Sequence, residues 1–167
     1  MGGKKADYDE VIFPTKLIKN IELIDQNPIG KSSRSNPVTY LKAFDDIRDL
    51  FSKQKLAKMQ GLMPKHFSFN VDGGRCDDCK GEGVITVSMQ FMADIELGCE
   101  TCKGQRFKNE ILDIKFDEKN ISDILHLTVD EALEFFKDND QPKIVTKLKP
   151  LQEVGLGYLQ LGQSSST

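Results

Sequence analysis

The chain has 167 residues and is sized for one domain or one domain with a small satellite. Charged residues make up 29% of it and hydrophobic ones 38%, with no apolar run near the ~20 residues of a membrane span, so a membrane-embedded protein is excluded and a modest core is expected. The formal charge of −3 argues against a uniformly basic nucleic-acid binder, yet residues 31 to 75 hold nine basic side chains against four acidic ones. That local excess is the kind that makes counterion-releasing phosphate contacts, although Lys53, Lys55 and Lys58 read first as a solvated helix surface.

In chain order, Val11-Ile12-Phe13 stops at Pro14, and Ile21-Glu22-Leu23-Ile24 reads as a short strand that enters an Asn27-Pro28-Ile29-Gly30 loop. Gly30-Lys31-Ser32 looks like the end of a phosphate-binding loop, but Asp25 stands where its first glycine is required. Asn36-Pro37 is a helix start, with Asn36 as cap, and Tyr40, Leu41, Phe44, Ile47, Leu50 and Phe51 form its apolar stripe. From Phe67 the period changes to two. Phe67, Phe69 and Val71 predict a strand, and Ile85, Val87, Met89 and Phe91 predict another with one covered face. A partner strand around Ile95 and Leu97 would close a hairpin with its tip near Met92-Ala93-Asp94.

Leu112, Ile114 and Phe116 predict a further strand, ended by Asp117-Glu118-Lys119-Asn120. Thr128 to Glu131 is a capping box, and Val129, Ala132, Leu133 and Phe136 give its helix a buried face. A last helix through Ile144, Leu148 and Leu151 is expected to be disturbed at Pro150 and to end at Gly155. His66 and His126 stand alone, without a second histidine at ligand spacing, and read as structural or surface residues.

The four cysteines, Cys76, Cys79, Cys99 and Cys102, fall in two C-x-x-C pairs separated by 19 residues. That spacing predicts one closed Cys₄ zinc site, in which the metal is scaffolding with no open position for substrate. Disulfides and a redox dithiol are the rivals. The chain opens without a signal-peptide pattern, and a redox C-x-x-C normally occurs once. Each pair is followed by Lys-Gly, at Lys80-Gly81 and Lys103-Gly104, so the two halves form a pseudo-repeat whose glycines permit the positive φ of a chain folding round a metal.

Three stretches carry a resemblance to a known family: residues 25 to 40 (DQNPIGKSSRSNPVTY), 67 to 76 (FSFNVDGGRC) and 154 to 164 (VGLGYLQLGQS). Together they resemble the C-terminal half of the UvrA family, the damage-sensing ATPase subunit of the bacterial excision nuclease, over residues 21 to 167. The resemblance implies an α+β fold: a helical signature-type domain with an inserted Cys₄ zinc-bound β-hairpin and a remnant of an ABC ATPase core. Its parts would be residues 1–30 as core remnant with the Q-loop, 31–66 as basic loop and helix, 67–108 as zinc module, and 109–167 as the remainder leading to the ABC signature.

The resemblance implies Gln26 as the Q-loop glutamine, Cys76, Cys79, Cys99 and Cys102 as zinc ligands, and Lys31 and Arg34 as a basic loop on the DNA backbone; Arg75 is a further candidate for a phosphate contact beside them. Walker A, Walker B and the signature glycines are not in these residues. The chain is therefore expected to be a piece of a longer protein, using ATP and Mg²⁺ only in that parent and inactive alone. Expected partners are double-stranded, preferentially damaged DNA and the other excision-nuclease subunits, with a homodimeric parent acting in nucleotide excision repair in the cytoplasm, away from membranes. Two other readings stay open. One is a protein-docking module for repair partners; the other is a peptide-binding module, because Cys76 to Gly83 also resembles a DnaJ zinc repeat.

Overall fold

A computed structural model describes residues 34–89 and 94–164. Gln26 and Lys31, the core remnant at 1–30, and the hairpin tip at Met92 and Ala93 lie outside the described residues. The described residues combine helices with two small antiparallel hairpins. The helices are α1 (Pro37–Tyr40), α2 (Ala43–Ser52), α3 (Lys55–Met59), α4 (Asn109–Leu112), α5 (Ile121–His126), α6 (Val129–Asp138) and α7 (Pro142–Glu153), and the hairpins are β1 (Val84–Val87) with β2 (Ile95–Gly98) and β3 (Lys115–Phe116) with β4 (Lys119–Asn120).

Asn36 caps α1 as expected. Its Oδ1 accepts from the Thr39 N–H at 3.0 Å, and the Asn36 N–H donates to Thr39 Oγ1 at 3.3 Å, a reciprocal box that satisfies two otherwise orphaned donors. The expected long helix is broken, however. Lys42 takes φ +55°, and the chain restarts as α2, which resets the helical phase. Tyr40 therefore leaves the predicted stripe and is 67% exposed, whereas Phe44, Ile47 and Phe51 remain buried.

The strand expected over Phe67 to Val71 is absent. Pro64–Phe67 is a 3₁₀ turn, and the chain continues irregularly, with Phe67 and Phe69 buried and Val71 exposed. The alternation was a burial signal without a neighbouring strand. Phe67 meets Phe51 and Phe69 meets Phe44 across the face of α2, with ring centroids 5.8 and 5.0 Å apart. His66 is structural, as expected: its Nδ1 accepts the Met63 N–H at 2.8 Å, and its ring lies against Gly73. His126 is exposed at the end of α5.

A second correction concerns Leu112 to Phe116. Leu112 ends α4, Ile114 is buried, and only Lys115–Phe116 pairs, with Lys119–Asn120 across a two-residue turn. Asp117 and Glu118 both have positive φ there, as a type I′ hairpin turn requires. Thr128 builds the expected box with Glu131, and α6 buries Val129, Ala132, Leu133 and Phe136. Helix α7 buries Ile144 and Leu148 and runs unbroken through Pro150. It ends as expected at Gly155, φ +79°, in a Schellman closure: Gly155 N–H to the Gln152 carbonyl and Leu156 N–H to that of Leu151.

The core draws on residues from Val38 to Phe69 and from Phe107 to Leu161. Helix α7 packs on α6 and α2, and the 3₁₀ turn packs on α2. Residues 157–162 then thread back between elements. Val38 donates to the Leu161 carbonyl, Leu161 to that of Leu127, and Gly162 to that of Leu125, so the end of the chain ties α1 to α5 and α6. Gly157 lies against the Asp130 carboxylate, which would have to shift to admit a Cβ there.

Phe136→Ala should cost about 3–5 kcal/mol in urea denaturation, the range for deleting a buried aromatic. Tyr40→Ala should stay within about 0.5 kcal/mol. Comparable losses for the two would contradict the phase reset at Lys42.

Candidate metal centre

The four cysteines are buried and unpaired by disulfides, and their sulfurs all lie within 4.8 Å of one another. Two loops of the same construction bring them there. Lys80-Gly81 has φ +51° and +86°, and Lys103-Gly104 has φ +50° and +81°, so both turns use two successive left-handed residues. In each, the N–H three residues beyond the second cysteine donates to that cysteine's carbonyl: Glu82 to Cys79 at 3.0 Å and Gln105 to Cys102 at 2.9 Å.

The repeat extends to the first cysteine of each pair. Cys76 N–H donates to the Arg106 carbonyl at 2.8 Å, and Cys99 N–H donates to the Gly83 carbonyl at 2.9 Å. Each acceptor stands four positions past the second cysteine of the opposite pair. The two loops thus hold each other by a reciprocal pair of bonds, and the Thr101 hydroxyl adds a third tie by donating to Asp78 Oδ2. The sequence-level pseudo-repeat is a structural one.

The donor set fits a tetrahedral ion. A metal–sulfur distance of about 2.3 Å requires sulfurs about 3.8 Å apart. The separations are 3.9 Å for Cys76 and Cys99 and 3.6 Å for Cys79 and Cys102, both far beyond a disulfide bond. Gly83 N–H also donates to Cys79 Sγ at 3.3 Å. Cys76, Cys99 and Cys102 are unequal as acids. Burial pushes Cys102 up to about 12 and raises Cys76, whereas the Cys102 N–H holds Cys99 down to about 7.

The cluster is mounted on the helical core by a short paired ribbon. Arg75 bridges Phe107, and Lys108 N–H donates to the Gly74 carbonyl at 2.9 Å. Phe107 is buried edge-on to Phe69, which reaches Phe44 of α2. Two glycines permit this approach. A Cβ on Gly74 would fall 1.8 Å from the His66 carbonyl oxygen, and one on Gly81 would fall 2.0 Å from that of Phe69.

Beyond the cluster, β1 and β2 pair antiparallel with Ile85 opposite Leu97 and Val87 opposite Ile95, as expected of a hairpin rooted between the cysteine pairs. The covered face was not found. Ile85, Val87, Met89, Ile95 and Leu97 are all exposed.

No protein-family model matches the chain. Curated relatives do match. The UvrABC system protein A of Clostridium perfringens (strain 13 / Type A) is 54% identical over 143 residues, 86% of this chain and 15% of its own length. That of Listeria monocytogenes serotype 4b (strain F2365) is 50% identical over 167 residues, 98% of this chain and 17% of its own length. The crystal structure of UvrA2 from Deinococcus radiodurans superimposes with a TM-score of 0.80 at 47% identity, over 86% of this chain and 17% of that one. The chain belongs to the UvrA family. It spans 15–17% of the length of these relatives.

Of the candidate phosphate-contacting residues Lys31, Arg34 and Arg75, the last two are described, and both stand beside the cluster in ion pairs. Arg34 Nε donates to Glu82 Oε1 at 2.9 Å, and Arg75 lies 2.6 Å from Asp72 Oδ1. Sequence reading passed over Glu82, and also Arg106, whose guanidinium covers the Phe69 ring at 5.4 Å with φ +71°. Glu82 was legible only as the residue between two glycines; its partner is 48 positions away.

Cys102→Ser should lower affinity for zinc, used as the probe ion, by more than about a hundredfold, beyond the range for residues behind the ligands. The thiols bind as thiolates, so binding releases protons from those titrating above the working pH. Affinity should therefore fall as pH is lowered, and a chelator competition indifferent to both changes would rule out four-sulfur coordination.

Proposed function

We propose that this chain is the zinc-bearing, DNA-contacting module of a UvrA-type damage sensor in nucleotide excision repair. The observation that carries it is the buried four-sulfur cluster in a chain about half identical to UvrABC system protein A along almost its whole length. Zn²⁺ is the ion that suits four thiolates in a closed tetrahedron, and its role here is to hold a ribbon that is marginal alone. Binding of structural zinc is worth on the order of 10–16 kcal/mol when coupled to folding. ATP and Mg²⁺ belong to the full-length parent, where Gln26 would face them as the Q-loop residue.

In this reading Lys31, Arg34 and Arg75 meet phosphates of double-stranded DNA. Such contacts set register and read no bases, which suits a sensor that must work in any sequence. Lesions are then felt through altered bending and unwinding of the duplex. The four-part division at residues 30, 66 and 108 and cytoplasmic action belong to the same proposal; among the described residues, no helix is long and apolar enough to cross a membrane. In the parent, a homodimer working with the other excision-nuclease subunits, nucleotide-driven movement around Gln26 would shift this module against the ATPase core.

A second reading, protein docking to repair partners, is favoured by one observation: the apolar face of the β1–β2 ribbon is uncovered. A fluorescence-anisotropy titration of the zinc-loaded chain against intact and lesion-bearing duplex, repeated over a salt series, separates the two. We expect binding that weakens steeply with salt, and Arg34→Ala should weaken it equally across sequences and reduce the salt slope by about 1. A sequence-selective loss would remove Arg34 from phosphate. No binding at low salt would leave docking as the better reading.

A further inference from the structure

We propose that Glu82 is a positioning residue for Arg34, through which the metal knuckle sets where the basic loop presents its guanidinium. The proposal rests on the DNA-contacting reading above.

Three observations lead to it. First, the Arg34 guanidinium is held at two of its nitrogens: Nε donates to Glu82 Oε1 at 2.9 Å and a terminal nitrogen to the Lys80 carbonyl at 3.4 Å. A carboxylate and a carbonyl together orient a planar guanidinium, where either alone would let it swing. Second, Glu82 itself is immobilised by a metal ligand. Its N–H donates to the Cys79 carbonyl, the next N–H donates to Cys79 Sγ, and Gly81 before it fits under the Phe69 carbonyl with no room for a side chain. Third, the Arg34 backbone is held from the opposite direction, since its carbonyl accepts from Asn36 Nδ2, the residue that caps α1.

Arg34 is therefore strung between the first helix and the second cysteine of the first pair. The side chains of the ion pair are 34% and 27% exposed, so the pair sits at the surface where a phosphate can approach, in a cleft shared with Lys80, Thr86 and Glu96. An organised metal site fixes Glu82, Glu82 fixes the guanidinium, and the DNA grip depends on metal without the metal touching DNA.

The proposal makes a prediction opposite in sign to simple charge counting. Removing a carboxylate beside a phosphate site should tighten DNA binding if Glu82 only contributes negative potential. If Glu82 positions Arg34, removing it weakens binding. The test uses the zinc-loaded 167-residue chain and compares wild type, Arg34→Ala, Glu82→Ala, Glu82→Gln and the Arg34→Ala/Glu82→Ala double variant by anisotropy, with bound zinc measured in each.

We expect Glu82→Ala to weaken DNA binding by about two- to fivefold, the range open to a half-exposed ion pair. The double variant should be no weaker than Arg34→Ala, because the two residues act as one unit. Glu82→Ala binding equal to or tighter than wild type with zinc retained, or losses that multiply in the double variant, would overturn the positioning role. If Glu82→Ala loses zinc, Glu82→Gln, which keeps the side-chain volume, decides by the same criteria. A wild type that does not bind DNA, or an Arg34→Ala variant that binds unchanged, overturns the DNA-contacting reading and this inference with it. Loss in Arg34→Ala without loss in either Glu82 variant overturns the inference alone.

Discussion

Four sulfur atoms must be held within a few ångströms of one another by a stretch of chain with no apolar core of its own. The rest of the structure can be understood from that constraint. A polar loop pair brought together this closely loses conformational freedom that hydrophobic burial does not offset here. The chain meets the demand by duplication: two turns of the same left-handed form, each donating its first cysteine's N–H to the other's exit. The two turns hold each other by these reciprocal bonds, with all four sulfurs within 4.8 Å of one another.

The cluster would still be a mobile appendage without its mounting. The aromatic line from Phe107 through Phe69 to Phe44 carries it onto α2, and Gly74 and Gly81 let backbone approach backbone where any side chain would collide. Helices α6 and α7 support α2 in turn, and the returning segment at 157–162 locks α1 to α5 and α6. Packing is thus graded, from an interlocked helical body, through the cysteine knuckle, to a ribbon whose apolar side chains are exposed. Elements with few buried contacts are where proteins place surfaces that must adapt to a partner.

The same grading explains which sequence signals were reliable. Caps and cysteine spacing are local chemistry, so Asn36, Thr128, Gly155 and the two C-x-x-C pairs appear in the structure as read. Alternation was less informative. At Phe67 and Phe69 it reported burial against α2 with no strand present, and at Ile85 and Val87 it reported a strand with no burial. Period two follows from either cause, and only the surrounding elements distinguish them. The helix break at Lys42 had no sequence mark, because a lysine in the left-handed region is set by what the flanking helices pack against.

By itself the sequence determined the four-cysteine cluster, the pseudo-repeat around it, the capped helices with their apolar faces, and a resemblance sufficient to place the chain in the UvrA family. These all depend on residues close together in the chain, where spacing alone dictates geometry. Tertiary structure decided the exposure of the ribbon, the conformation of Phe67 to Val71, and the meeting of Arg34 with Glu82 across 48 residues. Contacts between distant segments depend on how whole elements pack, and no local pattern of residues encodes that.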